Sequence, residues 1–233
     1  MDLTAYHYVS LFRENIHKYP KKEALMRKID AHWQPISWEK LGTITTQLSK
    51  ALLQQGVAPQ QTVGILSQNT PQWTLTDLAC LQIRAITVPI YTSNTAEQAL
   101  YVMNHAEVKV LFVGDEKQYH KALEVASQCP TLQMIVVCDN EVPLTEKQYS
   151  IHWNDFLALG NSPQYDTELD KRIAERNLDD LFTIIYTSGT TGEPKGVMLT
   201  YENLAYQMLG HSQRLEVDDT DSSLSFLPLT HVY

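Results

Sequence analysis

Cysteine is scarce: Cys80, Cys129 and Cys138 are the only three in 233 residues, and no two form a C-x-x-C pair. Such spacing excludes a disulfide framework and predicts buried, reduced thiols in a cytosolic protein. Long apolar runs are also missing. No uninterrupted stretch approaches the roughly 20 residues that cross a bilayer. The start, Met1-Asp2-Leu3-Thr4, lacks the basic residues and apolar run of a secretory signal. The expected location is cytoplasmic, with peripheral membrane contact left open. Positive charge is short, at 18 Lys and Arg against 27 Asp and Glu, a net −9. This argues against nucleic acid as the main partner. It says little about a nucleotide, whose site needs positive charge only locally. Repeats and low-complexity segments are absent.

What remains is a globular composition, 43% hydrophobic and 19% charged. Thr4 is positioned to cap a first helix carrying Tyr8, Val9, Phe12 and Ile16 and ending at Tyr19-Pro20. Residues 23–29 and 32–36 read as a hairpin. Ser37 then caps a helix with Leu41, Ile44, Leu48, Ala51 and Leu52 at helical spacing, stopped by Gly56. From Thr62 the pattern alternates. Strands are expected at 62–66, 86–90, 108–113 and 132–137. Helices are expected from Pro71 toward Ala85, from a Thr95–Gln98 capping box toward His105, and over 116–127. Parallel crossovers follow, and with them a doubly wound, largely parallel α/β sheet flanked by helices. Residues 151–159 read as one short helix and 166–180, with charges of both signs, as a solvated connector. Thr200 caps a helix through Leu215. The acidic run Asp218-Asp219-Thr220-Asp221 reads as a solvated turn rather than a metal site, since no further ligands stand at fixed spacing.

One stretch carries chemistry. Leu181–Tyr186 is apolar, β-branched and aromatic, as in a buried strand, and Val197–Thr200 is apolar again. Between them, Thr187–Gly196 holds glycines, hydroxyls, one proline and Lys195. Gly189, Gly192 and Gly196 let backbone N–H groups approach an anion. Thr187, Ser188, Thr190 and Thr191 can donate to phosphate oxygens or ligate Mg²⁺. Lys195 adds a positive charge on a flexible stem. The Walker A pattern is not met, because Pro194 stands where its second glycine would be and Gly196 follows Lys195. A flexible linker is the competing reading, but linkers rarely sit directly between two strand-like runs.

Tyr186–Val197, Tyr-Thr-Ser-Gly-Thr-Thr-Gly-Glu-Pro-Lys-Gly-Val, resembles the phosphate-binding signature of the adenylate-forming family, which includes acyl-CoA synthetases, luciferases and peptide-synthetase adenylation domains. Phe226-Leu227-Pro228-Leu229-Thr230-His231-Val232-Tyr233 resembles that family's second core motif. Val88–Ser93, Thr95–Gln98 and Tyr101–His105 are similar to the long-chain acyl-CoA synthetase branch. The resemblance implies ATP-dependent conversion of a fatty acid to acyl-AMP and then, with coenzyme A, to acyl-CoA. It implies that Thr187, Ser188, Gly189, Thr190, Thr191, Gly192 and Lys195 hold ATP, that Thr187 also contacts Mg²⁺, and that His231 borders the reacting carboxylate. It implies an incomplete N-terminal domain, because family members are commonly more than twice as long. On this reading residues 1–60 form a helix and hairpin segment, 61–177 a doubly wound subdomain, and 178–233 the start of a second. A later Thr-Glu motif, a ribose-binding Asp in a Thr-Gly-Asp context and a C-terminal catalytic Lys are not found. Two alternatives stand beside it: an acyl-adenylating enzyme that does not use CoA, and a truncated nucleotide-binding module without activity. A homodimer is left open.

Overall fold

The computed structural model describes residues 2–187 and 193–231. The N-terminus opens with a 3-10 turn over Thr4–Tyr6, followed by α1 (Tyr8–Lys18). Thr4 does not cap α1. His7 occupies the cap position without a side-chain bond, and the Thr4 hydroxyl donates to Asp2 Oδ1 at 2.6 Å. The short turn between Thr4 and the first apolar pair displaces the helix start. β1 (Glu23–Ile29) and β2 (His32–Ser37) form a separate antiparallel hairpin. Its turn residues Asp30 and Ala31 both have positive φ, 47° and 66°, which matches the right-handed twist of the strands.

Helix α2 (Trp38–Gln54) is capped by Ser37, whose Oγ accepts from Lys40 N at 3.2 Å. It closes at Gly56, where φ is +70° and the following amide, Val57 N, donates to Leu52 O. Next come β3 (Thr62–Leu66), α3 (Pro71–Gln82), β4 (Ile86–Pro89), α4 (Ala96–His105), β5 (Val110–Val113), α5 (Glu116–Ala126) and β6 (Met134–Val137). The Thr95–Gln98 capping box at the head of α4 is complete on both sides. Residues 151–159 are not one helix. Ser150–His152 is a further parallel strand, β7, and α6 covers Trp153–Leu159. The 166–180 segment is not a solvated connector either. Asp166–Ala174 is helix α7, anchored by buried Leu169, and Lys50 Nζ meets Asp166 Oδ1 at 2.8 Å. Strands β8 (Leu181–Thr187) and β9 (Lys195–Thr200) then lead into α8 (Tyr201–Arg214).

Among the described residues, seven strands form one sheet in the order β7-β6-β5-β3-β4-β8-β9. Neighbours are parallel except β8 and β9. The chain steps from β3 to β4 on one side, crosses to β5, β6 and β7 on the other, and returns with β8 beside β4. This is the doubly wound path. Period-two alternation builds a core on each face. Val63, Phe112 and Val136 pack with α2, α3 and α6, where Phe156 meets Phe112 edge-on at 5.4 Å. Leu111, Val113, Ile135 and Val137 pack with α4 and α5. Cys80, Cys129 and Cys138 are buried and unpaired, as the composition predicts.

Among the described residues, β8 shares one ladder pair with β4, Thr87 with Thr183, and side chains add to its seating. Gln60 accepts from Leu181 N at 2.9 Å and donates to Leu181 O at 3.1 Å. Arg84, held at φ 61°, grips Asp180 through two bonds of 2.7 and 3.1 Å. At the same end, where Tyr201 N donates to Asp180 O, His7 is 3% exposed and stacks on Tyr201 of α8 at 4.4 Å. Burial, aided by the nearby Arg176 charge, pushes the His7 imidazole down to about 4. The folded state therefore holds His7 neutral, and the stability this gives is present above the ordinary value near 6.5 and lost as pH falls toward 4. His7→Phe should keep the stacking and remove on the order of 2 kcal/mol of that acid sensitivity at about pH 4.5. Urea melts of both proteins at neutral and acid pH check this, and equal acid losses would refute it.

Candidate functional site

β3, β4, β5, β6 and β8 run parallel, so their carboxyl ends share one edge of the sheet. In doubly wound sheets that edge is where ligands bind. The predicted phosphate loop leaves it at the end of β8. Along β8, Thr183, Ile185 and Tyr186 are buried while Thr187 is exposed, so burial gives out where the polar loop begins.

The strands reach further into the loop than composition predicts. Thr187 lies opposite Lys195, and Tyr186 opposite Gly196. Thr187, Lys195 and Gly196 therefore belong to the ladder and not to the connecting loop. Residues directly opposite in an antiparallel pair project from the same face, so the Thr187 hydroxyl and the Lys195 ammonium stand on one side of the hairpin's mouth. Both are exposed. Gly196 has a steric reason to lack a side chain. A Cβ there would sit 2.8 Å from Ile184 Cγ2 and 3.3 Å from the Tyr186 ring. Ser188, Gly189, Thr190, Thr191 and Gly192 lie outside the described residues.

His231 is exposed, in a turn where its own N–H donates to Pro228 O at 3.0 Å. The chain leading to it is not a strand, and Leu224 and Phe226 are 72% and 74% exposed. One side chain ties this segment to the sheet edge. Asn69, just beyond β3, donates from Nδ2 to Leu227 O at 2.7 Å and to Ser225 O at 3.3 Å, and accepts from Leu229 N at 2.9 Å. The sequence reading missed Asn69. A polar residue at the carboxyl end of a strand was its only local signal, since its partners lie 156 to 160 residues away. The loop and the His231 segment are thus both attached at the same edge. Asn69→Ala should leave Leu229 N–H without its acceptor. At roughly 1 kcal/mol per bond, amide exchange at Leu229 should rise about fivefold or more while β5 stays protected. Unchanged exchange at Leu229 would show that the clamp holds nothing.

Asp218 and Asp221 are consumed locally. Asp218 Oδ1 accepts from Thr220, and Asp221 Oδ2 from Asp218 N. Asp219 pairs with Lys22. Among the described residues no group of three or more His, Cys, Asp or Glu side chains could hold a metal ion. Two cavities are also present, and the second lies at this same carboxyl edge, just beyond β3, β5 and β6. One of about 510 Å³ is lined by Leu123, Met134 and Tyr149, the other of about 430 Å³ by Ser67, Gly114 and Asp139. Among the described residues, neither is lined by Thr187, Lys195, Gly196 or His231.

A mostly parallel sheet flanked by helices is the fold this chain shares with solved adenylate-forming CoA ligases. Its solved counterparts include an anthranilate CoA ligase in complex with anthranoyl-AMP, at a TM-score of 0.75 and 22% identity over 91% of this chain and 39% of that one. Another is a putative long-chain-fatty-acid CoA ligase from Rhodopseudomonas palustris, at 0.79 and 20% over 96% of this chain and 51% of that one. The chain belongs to the AMP-binding enzyme family, whose model matches residues 12–233. Its sequence is similar to the long-chain-fatty-acid–CoA ligase ACSBG2 of Xenopus laevis, 34% identical over 95% of this chain and 30% of the relative. It is also similar to the long chain acyl-CoA synthetase 2 of Arabidopsis thaliana, 31% identical over 95% of this chain and 35% of the relative. The chain spans about a third of the length of these curated relatives and corresponds to their N-terminal part.

Proposed function

We propose that the whole protein activates a long-chain fatty acid, first to acyl-AMP and then to acyl-CoA. A fatty-acid carboxylate is a poor electrophile. In the first step its oxygen attacks the α-phosphorus of ATP and pyrophosphate leaves. In the second the CoA thiolate attacks the acyl carbon and AMP leaves.

The observation that carries this reading is the register of β8 and β9, which sets Thr187 against Lys195 across the root of the loop. On this reading Thr187, Ser188, Gly189, Thr190, Thr191, Gly192 and Lys195 hold the phosphates, and the lysine offsets charge gathering on pyrophosphate. Mg²⁺ would neutralise phosphate charge when bound. It takes few protein ligands beside substrate phosphates, so the single exposed Thr187 hydroxyl suits it. His231 borders the carboxylate, steadied by the Asn69 anchor behind it. Residues 178–233 would open a second subdomain. No described helix is long and apolar enough to cross a membrane, and a long-chain acid would be met in solution or at a membrane surface.

The names of the relatives support the choice of acid and of CoA. Incubating the full-length protein with ATP, Mg²⁺, CoA and acids of graded length tests it. AMP and thioester should appear together and favour long chains. Pyrophosphate and acyl-adenylate without thioester would indicate an adenylating enzyme that does not use CoA. Absence of all three would indicate a nucleotide-binding module.

A further inference from the structure

We propose that Tyr101 and His105 of α4 are positioning residues that grip both stems of the phosphate loop. The proposal rests on the nucleotide role given above for that loop. Tyr186 is the last buried residue before it, and its hydroxyl lies 2.6 Å from His105 Nδ1. Pro194 is on the far side of the loop, and its carbonyl accepts from the Tyr101 hydroxyl at 3.1 Å. One helix thus bonds to the chain on both sides of residues 188–192.

The rings support the bonds. Tyr101 and His105 stand one helical turn apart and stack at 5.6 Å. Tyr186 meets both edge-on, at 6.4 Å and 5.6 Å. Burial, with a smaller contribution from Tyr101, pushes the Tyr186 phenol up to about 12, so the hydroxyl keeps its proton and stays available for the bond to His105. Gly196 backs the Tyr186 ring closely enough that a side chain there would displace it. Helix α4 is itself held by its capping box and by buried Ala99, Val102 and Met103. The two stems, at Tyr186 and Pro194, are therefore mounted on a buried, capped helix, and ATP need not supply their ordering.

Three variants of the full-length protein test this: Tyr186→Phe, His105→Ala and His105→Asn, the last retaining a carbonyl oxygen near the place of Nδ1. Tyr186→Phe keeps the ring and the fold. It and His105→Ala should each speed amide exchange in β9 between Lys195 and Val197 several-fold, with β3 and β5 unchanged. Both should raise the KM for ATP about three- to tenfold, the usual worth of a buried hydrogen bond, and alter kcat less. His105→Asn should recover most of the loss. Combining Tyr186→Phe with His105→Ala should add little to His105→Ala alone. Wild-type exchange at Lys195–Val197 in Tyr186→Phe would overturn the grip. Faster exchange with an unchanged KM for ATP would reduce the cluster to packing and overturn the positioning role. A wild-type protein without ATP-dependent turnover would count against the nucleotide reading, while the exchange comparison would still decide whether α4 holds the stems.

Discussion

Lys195→Ala in the full-length protein should lower kcat/KM for ATP in the adenylation step about ten- to hundredfold, the worth of one charge-assisted hydrogen bond. Lys195 is the first residue of β9, exposed, opposite Thr187, and in no ion pair among the described residues. The fold does not lean on its charge. The unfolding midpoint should therefore stay within about 0.5 kcal/mol of the parent, the usual range for a surface change. Lys195→Arg should recover only part of the activity, since a planar guanidinium does not replace a compact ammonium on a flexible stem. Pyrophosphate release at limiting ATP shows the effect, and an unchanged rate there would remove Lys195 from the phosphate site.

The second large effect concerns residues 1–233 by themselves, which should form no acyl-CoA. They contain the phosphate loop and the His231 motif. They do not contain a Thr-Gly-Asp ribose site, a later Thr-Glu pair or a further catalytic lysine of the kind the family resemblance implies. Acyl transfer depends on holding ATP, acid and thiol together in a closed site. β9 is a sheet edge with Val197 and Met198 at 44% and 63% exposure, and Leu224 and Phe226 are more exposed still. An uncovered apolar edge of this kind favours self-association. AMP and thioester should stay at background when the purified segment is given ATP, Mg²⁺, CoA and a long-chain acid. Sustained turnover that co-purifies with the segment and vanishes in Lys195→Ala would contradict this.

Much of the fold was legible because its signals are local. Ser37, Thr95 with Gln98, and Thr200 each cap the helix that their sequence announces. The strands from β3 to β6 are short apolar runs between turn residues, read with ends displaced by up to two residues. What escaped was short or settled at long range. β7 is three residues joined directly to α6, too brief for a period of two to show. α7 hides one buried leucine, Leu169, among charges, of which Asp166 finds its partner in distant Lys50. The site divides the same way. The phosphate loop is contiguous and readable, whereas Asn69 acquires its role from backbone groups brought in by folding. Tyr101 and His105 stood in a recognisable string, but their partners Pro194 and Tyr186 lie 93 and 81 residues away.

The most direct test of the central claim, that this chain carries the phosphate site of a fatty-acid-adenylating enzyme, is isotope exchange between pyrophosphate and ATP. It is run on the full-length protein without CoA, which isolates the first step. Label should enter ATP only when a long-chain fatty acid is present, and exchange should fall about ten- to hundredfold in Lys195→Ala. Exchange that ignores the acid, or that survives unchanged in Lys195→Ala, would contradict the account.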